Sequence, residues 1–183
     1  DPRVLPTLMK LTESPRPQAR AAAAGVLYFY NNDKSRKKLV EMIDDPSGLV
    51  KVAAAKSLCL MKYTANLKHV AEGCKSRDEE VRASALRALA QINDEASKTS
   101  LQSLPAPKSS FDRIWFAFAR YQMDIDRQKQ LDVLQKHLLD LPKRAWLPGK
   151  DDPDKRDLER AARLAEKDQH SRLQAADALS RIG

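Results

Sequence analysis

The stretch EVRASALRALAQI, Glu80–Ile92, reads as one amphipathic helix until it is set beside LVKVAAAKSLCLM (Leu49–Met61) and QARAAAAGVLYFY (Gln18–Tyr30). Arg20, Lys51 and Arg82 then fall 31 residues apart, and the next step lands on Arg113. Leu27, Leu58 and Leu89 keep the same interval, as do Ala23, Ala54 and Ala85, and upstream Leu8, Leu39, Val70 and Leu101. A fixed period of this length is the signature of stacked structural repeats, and it outranks an argument from any one helix.

Within a copy the apolar spacing is helical in two blocks. In copy two the first helix is predicted over RKKLVEMI, the break over DDPSG and the second helix over LVKVAAAKSLCLM. Pro46 ends the first, because proline has no amide hydrogen and turns the preceding residue away from helical geometry. Alanines crowd the second helix of each copy and let it approach its neighbours closely. Neither helix buries its apolar stripe alone, so consecutive copies must stack.

Composition agrees. Five glycines in 183 residues and 5% aromatics favour helices over strands and hairpins. The longest apolar run, AAAAGVLYFY, is too short to span a membrane, and no signal-peptide pattern opens the chain. The start at Asp1 and the end just after a helix-like segment lead us to expect a processed chain or a fragment with flanks at one or both ends. Cys59 and Cys74 lack metal or redox spacing and read as buried reduced thiols, which fits a cytoplasmic location. The net charge of +8 is shared equally by the two halves, a spread surplus compatible with an acidic partner but without a dedicated nucleic-acid arm.

A leucine-bearing first helix, a short Asp/Pro turn, then Val with Arg or Lys and an Ala-rich second helix ending in Leu resembles the HEAT family. The similarity is to its short HEAT-like form in phycobilisome lyase subunits, and it is best over residues 3–92. The fold expected is an all-α, armadillo-like α-solenoid of about five helical hairpins. Residues 1–95 form three regular repeats, 96–123 a divergent aromatic-rich repeat, and 124–183 extended terminal helical repeats of the same solenoid. In the divergent copy Arg120 stands where Leu89 predicts an apolar residue, so the register after residue 95 stays open.

The resemblance implies that Arg20, Lys51 and Arg82 form a structural ladder between copies with an Asp of the inter-helix turn, here Asp45. It also implies that second helices line a concave face, which directs Lys56 and Arg87, again 31 apart, into the groove. Gly25 precedes them in register and Phe118 follows, so this row is short. FDRIWFAFARYQ gathers half of the aromatic residues: Phe111, Trp115 and Phe118 share a helix face and Phe116 leaves it. Aromatics on two faces are expected to include partner anchors, for which Trp115 and Phe116 are the candidates. Trp146, in a loop with Lys143, Arg144 and Lys150, is a further candidate.

Signals for catalysis are weak. His69, His137 and His170 have no partner at metal-ligand spacing, and there is no HExxH, CxxC, phosphate loop or nucleophile elbow. The iron enzyme of HEAT-like form, deoxyhypusine hydroxylase, uses His-Glu pairs, and the sequence has no such dipeptide. The acidic run from Asp151 reads as a helix start, with Asp152 capping and Pro153 in the first turn. NDKSRKK (Asn32–Lys38) reads as a solvated basic turn. We expect no catalytic residues, metal or cofactor, but a non-catalytic scaffold or adaptor that binds another protein along a concave helical surface. Nucleic-acid backbone binding by a basic groove, as in DNA-glycosylase-like HEAT solenoids, is the alternative. A chromophore-lyase accessory subunit is the third reading, implied by the resemblance.

Overall fold

Pro17 stands at the first position of a helix, where its missing amide hydrogen leaves no bond unmade, and opens α2 (Pro17–Leu27) after α1 (Leu5–Leu11). The computed structural model describes residues 2–107 and 109–139, and among these every regular element is helical. Three pairs follow the 31-residue plan: α1 with α2, α3 (Asp33–Glu41) with α4 (Gly48–Leu60), and α5 (Leu67–Gly73) with α6 (Glu79–Ile92). After them come α7 (Glu95–Gln102), α8 (Ser110–Gln122) and α9 (Arg127–Leu139). The chain divides into two compact units, Asp1–Ala106 with α1 to α7 and Pro107–Gly183 with α8 and α9. No described helix is long and apolar enough to cross a membrane.

In the first unit the second helices lie side by side, α4 between α2 and α6. The periodic residues form the core between them: Leu27, Leu58 and Leu89 are wholly buried, as are Leu39, Val70 and Leu101 from the first helices. Ser57 carries its polar atom into this contact by donating its hydroxyl to the carbonyl of Ala24 at 2.7 Å, which satisfies a buried group that would otherwise be left costly. Gly73 is there because nothing larger fits. A Cβ at that position would stand 2.5 Å from Cγ2 of Val52 and 3.0 Å from Cβ of Ala85.

Capping sets the helix starts. Asn32 accepts from the amide of Ser35 while the Ser35 hydroxyl accepts from the amide of Asn32, and Asp94 and Ser97 repeat the arrangement at α7. NDKSRKK is therefore not a free basic turn: it carries the cap and the first turns of α3, with Ser35 fully buried. The Asn-to-Ser spacing was the signal for this.

The period is also written in the backbone. Asn31, Lys62, Asn93 and Asp124, each 31 residues from the next, have positive φ of 36°, 74°, 47° and 58°. Each ends a second helix or its terminal turn and redirects the chain, a place where Asn and Asp are tolerated and Lys is strained. At Lys62 the amide of Tyr63 reaches back to the carbonyl of Leu58 at 2.9 Å, and at Asp124 the amide of Ile125 reaches that of Arg120 at 2.8 Å. The backbone register thus runs on to residue 124.

The side chains of α8 depart from that register. Phe111, Ile114, Trp115, Phe118 and Met123 are buried, so its buried face is turned relative to that of α6. Arg120, at the register of Leu89, is half-buried and pairs instead with Asp126 at 2.7 Å.

One face of copy one differs in exposure from its equivalents. Val4, Leu11 and Val26 are 45%, 42% and 40% exposed, whereas Ser35, Met42 and Ser57, one period on, are buried.

Candidate functional site

Gly25, Lys56 and Arg87 occupy one register on α2, α4 and α6, three helices placed side by side by the repeat. Lys56 reaches from α4 back over α2, so that a Cβ on Gly25 would meet its Nζ at 3.8 Å. The ammonium is half-buried. Burial is the main cause that lowers its pKa below the usual lysine value, and the positive charge of Arg87 adds to the effect. Among the described residues no carboxylate or other acceptor pairs with Lys56. Two cations are therefore held within each other's field, one of them desolvated.

One turn beyond Gly25, Phe29 is 70% exposed, its ring 4.0 Å from that of Tyr28. Val26 is also open to solvent. Sequence reading passed over Phe29, which belonged to the longest apolar run and was counted only as length. Its signal was the spacing: Ala22, Val26 and Phe29 follow i, i+4 and i+7, although Phe29 lies in the 3-10 turn after α2.

The ladder residues do a different job. Arg20 donates Nε to Oδ2 of Asp45 at 2.8 Å and Nη2 to Oδ1 at 2.9 Å, and its Nη1 donates to the carbonyls of Ser14 and Pro15. One guanidinium thus ties the turn of copy one to the turn of copy two. The hydrogen bond from Arg20 is the largest cause that holds the Asp45 carboxyl below the ordinary aspartate range. The amide of Ser47 and the charges of Arg20 and Lys51 add to it. Arg82 repeats the local part, with Nη1 at 2.9 Å from the carbonyls of both Ser76 and Arg77.

The aromatic candidates separate. Trp115 is 1% exposed and meets Phe118 edge-on at 5.6 Å, so a surface-anchor role for it is corrected: it lies on the buried face that its i, i+3 spacing to Phe118 defines. Phe116 leaves that face, is half-buried, and lies under the Arg120 guanidinium at 5.8 Å. Trp146 lies outside the described residues, as do Lys143, Arg144, Lys150, Asp152, Pro153 and His170.

The thiols are free, Cys59 buried and Cys74 half-buried, and burial pushes them up to about 11 and about 12. His69 sits 3.5 Å from Glu72 on the same helix. Among the described residues no group of three His, Cys, Asp or Glu side chains could hold a metal.

No curated protein matches the sequence. The solved chains similar to it include one from the complex of CpcE and CpcF of phycocyanin lyase from Nostoc sp. PCC7120, with 18% identity, 91% of this chain and 99% of that chain covered, and a TM-score of 0.48. The family model for HEAT repeats matches residues 1–59 and 37–119. With repeats of that family running over more than half its length, the chain belongs to the HEAT-repeat family.

Proposed function

We propose that this protein is a non-catalytic interaction scaffold that binds another protein along the face presented by its second helices. The observation that carries the reading is Lys56: a half-buried ammonium, beside a second cation, with no acceptor among the described residues. A fold that keeps like charges together in a desolvated place does so at a cost to its own stability, and a partner that brings negative charge offsets it. Phe29 adds an exposed aromatic in the 3-10 turn that follows α2, the residue type that concentrates energy at interfaces. Phe116, half-buried in the second unit, is a separate candidate anchor of that unit. A chromophore-lyase accessory role would be a special case, since it too is the binding of a protein.

The positive surplus of +8 supports a second reading, contact with nucleic-acid backbone. A labelled random-sequence DNA duplex at low and moderate salt separates the two, with the native chain compared to a Lys56→Glu, Arg87→Glu double variant. The scaffold reading expects no strong duplex binding. It also expects that cross-linking of a captured partner maps to α2, α4 and α6 and is lost in the double variant. Tight duplex binding that falls steeply with salt and disappears in the variant overturns it.

A further inference from the structure

We infer that Ser76 is a phosphoacceptor, and that a phosphate on its hydroxyl pairs with Lys51 across copies two and three as the Asp45 carboxylate pairs with Arg20 across copies one and two. The inference goes beyond the scaffold reading and does not depend on it.

The argument begins with the inter-helix turns. Ser14, Asp45 and Ser76 stand 31 residues apart, one in each turn. In all three the side-chain oxygen accepts a hydrogen bond from the amide two residues on. Arg16 donates to Oγ of Ser14 at 3.3 Å, Ser47 to Oδ1 of Asp45 at 2.8 Å, and Asp78 to Oγ of Ser76 at 3.2 Å. The backbone around Ser76 is also held as in copy one. Arg82 donates to the carbonyls of Ser76 and Arg77, and Arg20 to those of Ser14 and Pro15. Ser76 Oγ thus takes the place of Asp45 Oδ1. What it lacks beside Asp45 is the second oxygen and the charge.

The register supplies the cation. Arg20, on α2, forks onto Asp45 in the turn of the next copy. Lys51 holds the same position on α4, which packs against α5 and α6, the two helices that the Ser76 turn joins. Its half-buried ammonium adds to the field at Asp45, whose two oxygens Arg20 already engages. Among the described residues Lys51 itself makes no hydrogen bond or ion pair. The cation of this rung is in place and its anion is a serine.

A phosphate on that serine fits better than a carboxylate brought from outside. The Ser76 oxygen already stands where a carboxylate oxygen would, so the missing charge has to be attached to it. A phosphomonoester adds three acceptor oxygens and nearly two negative charges, which a compact ammonium can meet without the geometry of a fork. The hydroxyl is open to an enzyme: Ser76 is half-buried, and Lys75, Arg77, Asp78, Glu79 and Glu80 around it are exposed. Three carboxylates two to four residues after the serine are what a kinase with a basic substrate groove selects. In the transfer, the Ser76 oxygen forms a bond to the γ-phosphorus of ATP, and the bond from that phosphorus to the β–γ bridging oxygen breaks. ADP leaves, and the hydroxyl proton passes to the kinase's base.

Those carboxylates also repel a phosphate, and Asp78 is held nearby as the cap on the Glu80 amide at 2.9 Å. The sign of the stability change therefore reports whether Lys51 is engaged.

The test uses the full chain with phosphoserine installed at position 76, and the same chain carrying Lys51→Met. Phosphorylation should raise the melting temperature by about 2–4 °C, the shift that a contact of about 1 kcal/mol gives a chain of this size. With Lys51→Met it should bring no rise. In parallel, the folded native chain is treated with a purified acid-directed serine/threonine kinase and ATP, and the phosphate is mapped by mass spectrometry. One phosphate on Ser76, lost in Ser76→Ala, is expected. A phosphoserine that leaves the melting temperature unchanged or lower, or raises it equally in Lys51→Met, overturns the pairing. A folded chain that the kinase leaves unmodified, or modifies elsewhere and not at Ser76, overturns the site.

Discussion

Arg20 holds both carboxylate oxygens of Asp45 while it also donates to two carbonyls of its own turn. The charge pair and the turn closure can be separated by pH. Asp45 is held below the ordinary aspartate range, near 3.9 in unfolded chains. Its contribution to stability is therefore complete above that range and is lost as pH falls through the depressed folded value. Asp45→Asn should melt below the native protein at neutral pH, with the gap closing on acidification. Arg20→Lys, which cannot form the fork, should lower the melting temperature at both ends of the series. Thermal melts across that range check both.

Lys56 has the opposite sign. Its lowered pKa means that the unfolded chain binds the proton more readily, so the charged form weakens the fold at every pH below the folded value. The penalty fades as pH rises from that value toward the free-lysine range near 10.4. Lys56→Met should gain about 0.5–2 kcal/mol at neutral pH, typical of relieving an unfavourable charge. The gain should vanish in strongly alkaline buffer. Urea unfolding at several pH values measures it.

Packing between helices is checked by two substitutions. Leu58→Ala, at a wholly buried position of copy two, should cost about 2–5 kcal/mol. Gly73→Ala should cost about 1–3 kcal/mol although alanine is the better helix former, because the new methyl collides with Val52 and Ala85.

Lys62 is the one lysine among the four left-handed junctions, with φ of 74°. Lys62→Gly removes the clash of its Cβ and should stabilise the chain by about 0.5–1 kcal/mol, the left-handed penalty less the added freedom of the unfolded state. Lys62→Asn should gain less. Chemical denaturation of the three proteins gives the order.

The thiols offer a probe of opening. With values of about 11 and about 12, Cys59 and Cys74 carry almost no thiolate in the folded protein at neutral pH. Iodoacetamide should label them slowly in native buffer and quickly in denaturant, as mass spectrometry can follow.

The repeat plan was legible because it rests on volume: Leu at 27, 58 and 89 and Ala at 54 and 85 are what a close helix stack admits, and all are buried. Trp115 was misjudged because two aromatic faces on one helix do not say which face the protein buries. The spacing of Gly25, Lys56 and Arg87 was visible, but Gly25 read as the end of a basic row. Only coordinates bring a lysine of one helix over the glycine of another. Arg20 showed its period without showing that it spends as many donors on its own turn as on Asp45.

The bond from the Ser57 hydroxyl to the carbonyl of Ala24 does more than satisfy a buried oxygen. It crosses from α4 to α2, and its 2.7 Å length sets how far one helix can slide along the other. Leucine contacts on either side tolerate a small slip, whereas a directional bond does not. One serine thus works as a vernier on the stagger between the second helices of copies one and two.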